Sequence, residues 1–285
     1  MSSQKFMLFM EHNAASRATY TAEHFGPLFA AEDKHFWFRS RNRCIAAALR
    51  SLPDFSAIGD VLEVGCGTGV VLAELQRLFP AGRVTGMDLF EEGLKFARRR
   101  FNGALIQGDV FTHSFTESFD LVGAFDVIEH LDDDQKILRR FWQQLKPGGH
   151  LIVTAPAHMS LWSYFDEVAH HRRRYAPAEL EQKLVAAGFV VEYATHFMAA
   201  LVPPMWIKRR LLGERAGKLS RATTVRQQAA AESDLKIDPL VNWFFEMILL
   251  PEAYLISKRL RLPLGTSLLA LATRPVEPAN PLRHA

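Results

Sequence analysis

The sequence predicts an α/β fold, a parallel sheet with helices on both of its faces. Two observations carry this. Short apolar runs alternate with amphipathic runs from Val61 to Thr154, the signature of strand–helix–strand units. The first of those runs, Val61-Leu62-Glu63-Val64, passes directly into a glycine loop, Gly65-Cys66-Gly67-Thr68-Gly69, ahead of the helical Val70-Val71-Leu72-Ala73-Glu74-Leu75. An open parallel sheet builds a nucleotide pocket in this way, at a strand's carboxyl end.

Residues 1–34 form a weakly patterned leader in which Gly26-Pro27 breaks short helices. The aromatic and basic cluster His35-Phe36-Trp37-Phe38-Arg39-Ser40-Arg41-Asn42-Arg43 opens a helix that continues through Cys44–Leu49. Strands are expected at 61–64, 84–87, 104–106, 120–124 and 150–154, with helices near 69–78, 91–100 and 134–145. Pro147-Gly148-Gly149 stops the last of these helices and turns the chain into the fifth strand. Pro177 suits a first helical position, and that helix stops at Gly188. Phe189–Thr195 and Ser267–Thr273 read as the sixth and seventh strands. Between them lies a connection, 196–266, too long for a simple turn. We read it as a helical insertion. Its apolar parts are Ala199–Trp206 and Val241–Leu250, and 213–236 between them is polar, basic and expected to be mobile.

Composition places the chain among ordinary globular proteins, with 48% hydrophobic and 23% charged residues. The net charge of +3 gives no reason to expect a polyanionic partner. Residues 196–285 nevertheless hold 13 Lys and Arg against 7 Asp and Glu. Two cysteines, Cys44 and Cys66, cannot build a disulfide framework and suit a reducing cytoplasm. The N-terminus lacks the basic, apolar and small-residue order of a signal peptide. No uninterrupted apolar stretch reaches the ~20 residues of a bilayer span.

The loop spacing narrows the ligand. A dinucleotide site is G-x-G-x-x-G with the pyrophosphate on a helix N-terminus. Here the loop is G-x-G-x-G, and Glu63 stands two residues before the first glycine. A carboxylate there repels a pyrophosphate and attracts an ammonium, which argues against a dehydrogenase. The expected guest is a nucleoside carrying an amino acid. Asp88 ends the second strand 19 residues after Gly69, where an acid meets ribose hydroxyls. Asp109 ends the third strand, placed to meet an adenine amino group.

At this point the chain resembles the class I S-adenosylmethionine (SAM)-dependent methyltransferases, from about residue 35 onward. The resemblance rests on Glu63–Gly69, Asp88, Gly108-Asp109-Val110, Phe119-Asp120-Leu121-Val122, Asp126-Val127-Ile128-Glu129-His130-Leu131 and Leu145-Lys146-Pro147-Gly148-Gly149, in that order. It implies a Rossmann-like, seven-stranded, mostly parallel sheet with an antiparallel final strand. The implied organisation is an N-terminal helical lid at 1–50, a SAM-binding core at 51–195, a helical insertion capping the acceptor at 196–266, and the last strand and tail at 267–285. The cofactor, SAM, leaving as S-adenosylhomocysteine, is expected to meet Glu63, Gly65, Cys66, Gly67, Asp88, Leu89, Gly108, Asp109, Val110, Phe125 and Asp126.

Catalytic residues are less conspicuous, because methyl transfer from a sulfonium needs orientation and, for some acceptors, a base. His130 could be that base or could shape the pocket wall. The segment His171-Arg172-Arg173-Arg174-Tyr175 resembles one in bacterial methyltransferases of glycan and secondary-metabolite pathways. His171 and Tyr175 could orient or deprotonate a hydroxyl there. Arg173 and Arg174 could fork to a substrate carboxylate or phosphate, or pair with Asp166 and Glu167. Trp37 and Arg41 resemble the same proteins' lid and are candidate substrate contacts. Asp126, Glu129 and His130 share one helical face and resemble the Glu-x-x-Glu-His motif of magnesium-dependent RNA 2′-O-methyltransferases, whose second histidine could be His170 or His171. The favoured reading needs no metal.

The expected activity is methylation of a small or medium metabolite, apolar or anionic, with oxygen the favoured acceptor. A non-catalytic SAM-binding subunit and a metal-dependent RNA 2′-O-methyltransferase are the alternatives, and a nucleic-acid partner is not expected. The insertion could roof the acceptor pocket, form a dimer face or lie on a membrane. The expected location is cytoplasmic, soluble or at a membrane surface.

Overall fold

Seven strands form one sheet in the order β3-β2-β1-β4-β5-β7-β6. They are β1 Asp60–Val64, β2 Arg83–Asp88, β3 Ala104–Gln107, β4 Phe119–Phe125, β5 Leu145–Pro156, β6 Val190–Phe197 and β7 Ser267–Thr273. The first five run parallel, and β7 is antiparallel to both its neighbours, as expected. The structure, a computed structural model, describes residues 22–116, 118–205, 233 and 235–276. The start of the leader, most of the basic stretch 213–236 and the tail from 277 lie outside the described residues.

The helices are α1 Ala22–Glu32, α2 Phe36–Arg50, α3 Val70–Leu78, α4 Glu91–Ala97, α5 Asp134–Gln144, α6 Tyr164–Val168, α7 Pro177–Ala186 and α8 Pro239–Ser257. Local chemistry sets several of their starts. His35 caps α2 by accepting the Trp37 amide at Nδ1, 3.2 Å away. Asp133 caps α5 through Lys136, and Asp238 caps α8 through Leu240 and Val241. Pro177 and Pro239 occupy first-turn positions, where the missing N–H costs nothing.

Both faces of the sheet are covered, so central strands read as continuous apolar runs. Alternation then sends successive residues to two separate cores. Leu121, Ile152, Leu269 and Leu271 pack with Ile45 and Leu49 of α2 and with Leu72 and Leu75 of α3. Val122, Leu151, Val153 and Ala270 pack on the other face with Leu138 and Phe141 of α5 and with Leu180 and Leu184 of α7.

Two local expectations are corrected. Helix α1 runs unbroken through Gly26-Pro27. The fifth strand begins at Leu145, ahead of Pro147-Gly148-Gly149. An irregularity absorbs the difference: Phe119 pairs with Leu145, the next matched pair is Leu121 with His150, and Gly148 adopts φ +82°. Helix α8, 19 residues long, is apolar enough by length and composition to cross a bilayer, although no uninterrupted apolar stretch fills it. Two acids, Glu246 and Glu252, interrupt its sequence and hide that length.

Candidate active site

The carboxyl ends of β1 and β4, where the strand order reverses, open into a cavity of about 1040 Å³. A crevice at such a switch point is the general ligand site of open α/β sheets. Its floor is the glycine loop. The amides of Gly65 and Cys66 both donate to the Met87 carbonyl, at 2.8 and 3.0 Å, which folds the loop over the end of β2. Gly65 has φ +73°, and a Cβ there would come within 2.5 Å of Val127. Gly67, at φ +48°, differs: a Cβ there would meet nothing within 4 Å. The first glycine is required by packing, and the second leaves its backbone bare to the cavity.

Three acids face the cavity from the ends of β1, β2 and β3. Asp88 accepts the Gly67 amide at 2.7 Å and the Phe90 amide at 2.8 Å, one on each oxygen. Burial pushes its carboxyl up, partly offset by those amides. Asp109 accepts the Phe111 amide at 2.9 Å. Glu63 is buried, and its Oε2 has no hydrogen-bond partner among the described residues. Burial holds this carboxyl well above the usual range, with Arg41 pulling it part of the way back. A buried carboxylate oxygen without a donor suits an arriving ammonium, which would restore the ionised form. Leu89, Gly108, Val110 and Phe125 complete this side.

The N-terminal helices α1 and α2 supply a second wall. Phe25, Glu32, Phe36, Trp37, Phe38 and Arg41 line the cavity. Glu32, missed in the sequence, is buried and bonded to Thr68 of the glycine loop and to Arg100. Arg100 also reaches the Phe29 carbonyl at 2.7 Å, which ties α1 to the core. Arg41 lines the cavity, but its guanidinium is already engaged. It lies 2.8 Å from Asp126 and over the Trp37 ring at 5.1 Å. Asp126 in turn sits at φ +56°, held by Thr154 through its amide and its carboxylate. Arg41 and Asp126 therefore join α2 to the sheet, and each charge is paired with the other.

The third wall carries titratable groups. Glu129, His130 and His171 each bring a ligand-type atom to within 4.8 Å of the others. His171 donates Nδ1–H to Asp166 at 2.9 Å, and its Nε2 lies 3.9 Å from Glu129. Asp166 is fully buried and fixed by a fork from Arg174, at 2.7 and 2.9 Å. Burial alone would raise its pKa, but His171 and Arg174 hold it at about 2. The His130 imidazole is pushed down to about 3, first by burial and then by its neighbour His171. Glu129 is fully buried, and neither of its oxygens has a hydrogen-bond partner among the described residues. Burial, and then Asp126, raise its carboxyl well above the usual range. Two imidazoles and a carboxylate of this kind could hold a divalent ion.

The candidates at the end of this segment are corrected. Tyr175 is fully buried, does not line the cavity, and gives its hydroxyl to the Ile128 carbonyl at 3.2 Å and to Asp134 at 2.9 Å. Burial and Asp134 raise its pKa further, so it is no base. Arg173 also points away, bonded to the Leu131 and Asp132 carbonyls and 3.1 Å from Asp134. Arg174 lines the cavity but spends its fork on Asp166. Asp166 was the functional residue hardest to see in sequence. The sequence offered it only as a partner for the arginines, which Arg174 bears out, and gave no sign of its bond to His171.

Residues 62–153 match a family model described as a methyltransferase domain. The matched span runs from β1 through β5 and contains Glu63, Asp88 and Asp109. The core is a class I SAM-dependent methyltransferase domain. Its relatives include the trans-aconitate 2-methyltransferase of Deinococcus radiodurans, 29% identical over 60% of this chain and 64% of that protein. A mitochondrial ubiquinone biosynthesis O-methyltransferase of Saccharomyces cerevisiae is 25% identical over 56% of this chain and 54% of its own length. The chain thus spans less than two thirds of the curated relatives it matches. Among solved structures, a chain from the complex of the Haloferax volcanii Trm112 methyltransferase activator with a methyltransferase superposes with a TM-score of 0.54. It is 18% identical over 86% of this chain and 92% of that one, a likeness of fold. The cofactor of this methyltransferase domain is SAM, and the unpaired oxygen of Glu63 and the bare backbone of Gly67 suit it.

Proposed function

We propose that this chain transfers the methyl of SAM to an oxygen of a small or medium-sized metabolite, with His171 as the general base. The Asp166–His171 pair on the cavity wall carries the reading. When bound, SAM supplies a methyl group already activated by its sulfonium charge. The protein's part is to hold the acceptor and remove its proton. Asp166 fixes the tautomer and orientation of His171, so Nε2 faces the cavity as an acceptor of a hydroxyl proton. The low pKa of His130 keeps a second neutral imidazole beside it. Phe36, Trp37, Leu201, Met205 and Leu235 give the acceptor side an apolar lining, which favours a partly apolar substrate. The buried free thiols of Cys44 and Cys66 support a cytoplasmic setting.

The test is methyl transfer from labelled SAM into candidate hydroxylated metabolites. His171→Ala should lower kcat by roughly 10²–10⁴-fold while SAM affinity stays unchanged. Equal turnover by wild type and variant would remove His171 from the chemistry. A second reading has its own observation: the two unpartnered oxygens of buried Glu129 beside His130 and His171. Here a divalent ion held by the three would orient the acceptor oxygen. EDTA should then abolish turnover and Mg²⁺ or Mn²⁺ should restore it. Full turnover after EDTA leaves the metal-free reading.

A further inference from the structure

Helix α8 is built the wrong way round for a water-facing helix. Asn242, Glu246 and Glu252 all face the protein. Asn242 accepts the Phe36 amide at 2.7 Å and donates to the Lys34 carbonyl at 3.0 Å. Glu246 pairs with Arg39 at 2.9 Å and with Arg43. Buried Glu252 accepts the amides of Met198 and Ala199 at 2.6 and 2.8 Å. Stepping 100° per residue, the opposite arc collects Leu240, Trp243, Phe244, Met247, Leu250 and Tyr254, all exposed. Leu240 is 77% exposed, Trp243 62% and Tyr254 64%. Apolar side chains normally line the stripe that faces the core. Here a continuous apolar face, one helix long, is turned outward, larger than the scattered apolar residues of an ordinary surface.

We propose that this face lies in the plane of an anionic lipid bilayer surface. Three features select that occupant. The face carries Trp243 and Tyr254, the amphipathic rings that favour the headgroup level. Exposed lysines stand at both ends, Lys236 before the helix and Lys258 after it, where they meet anionic headgroups. Of the three acids in 235–264, Glu246 and Glu252 are turned inward, and Asp238 is spent on the helix cap. A second copy is a poorer occupant. Two-fold pairing along the helix sets lysine against lysine, whichever way the two helices run. A transmembrane crossing fits no better, because the helix would have to abandon the body partners of Asn242, Glu246 and Glu252. An in-plane helix keeps all of them and buries only the outward face.

The test uses the full chain and extruded vesicles, either phosphatidylcholine alone or with about 30% phosphatidylglycerol, an anionic surface that attracts lysines. The protein should co-sediment with the mixed vesicles, more weakly with the neutral ones, and less at high salt. Trp243→Glu combined with Met247→Glu should cut the partition by at least about tenfold. Lys236→Glu combined with Lys258→Glu leaves the apolar face intact and should abolish the preference for the anionic vesicles. Adenosylhomocysteine affinity, measured on the same samples, should be unchanged in both variants, which separates this proposal from the methyl-transfer reading. Failure of the wild type to sediment with either vesicle overturns the proposal. So does a dimer in light scattering that the Trp243 and Met247 changes dissociate.

Discussion

At the scale of single residues, Glu63 and Tyr175 make opposite claims. Glu63 keeps a carboxylate oxygen unpartnered in a buried pocket. Glu63→Gln should weaken SAM and adenosylhomocysteine binding roughly ten- to hundredfold, the worth of a charge-assisted hydrogen bond, as read by calorimetry. Tyr175 has two hydroxyl partners and no cavity exposure. Tyr175→Phe should leave kcat unchanged and cost about 1 kcal/mol of stability in urea unfolding; a collapse of kcat would return the tyrosine to the chemistry. The cofactor acids were legible in sequence because each closes a strand, and strand ends in a parallel sheet converge on one crevice. The segment 171–175 was not legible in the same way. It holds no regular structure, so spacing could not say that His171 and Arg174 face inward while Arg173 and Tyr175 turn to Asp134.

Among elements, the antiparallel end of the sheet carries a polar cluster that spacing did not reveal. His150 of β5 bonds to Thr273 of β7 at 2.9 Å and to Asp54 at 2.9 Å, and lies 3.4 Å from Glu192 of β6. Burial alone would lower the His150 pKa, but Glu192 and Asp54 outweigh it and raise it. Glu192 is held at about 2, chiefly by His150. A raised histidine contributes stability that is complete below its unfolded pKa of ~6.5 and is lost as pH rises through the folded value. A lowered glutamate contributes above its unfolded value of ~4.3 and loses that as pH falls toward 2. The cluster should therefore stabilise most between roughly pH 4.5 and 6.5. His150→Gln should remove the decline of unfolding free energy on the alkaline side of that window, measured by denaturant titration at several pH values. Comparing the two proteins isolates this contribution, since His130, half-buried and held low, carries the opposite pH dependence in both.

Across the whole molecule, the strands and helices of the core followed from apolar alternation, but the contacts of the insertion did not. Its helix α8 hides its contacts because they are made by residues such as Asn242 and Glu246, which a sequence reading assigns to solvent. Helix α2 is where the separate parts meet. Within one turn, Arg39 and Arg43 hold Glu246 of the insertion, while Arg41 holds Asp126 at the tip of β4. Three cations on five consecutive residues thus tie together carboxylates 120 positions apart in the chain. The insertion is consequently no interchangeable module. A chimera that grafts a relative's insertion onto this core inherits two orphaned arginines unless residues 39–43 travel with it, and diversification of acceptor choice in such a scaffold has to proceed by paired change in two distant stretches of sequence.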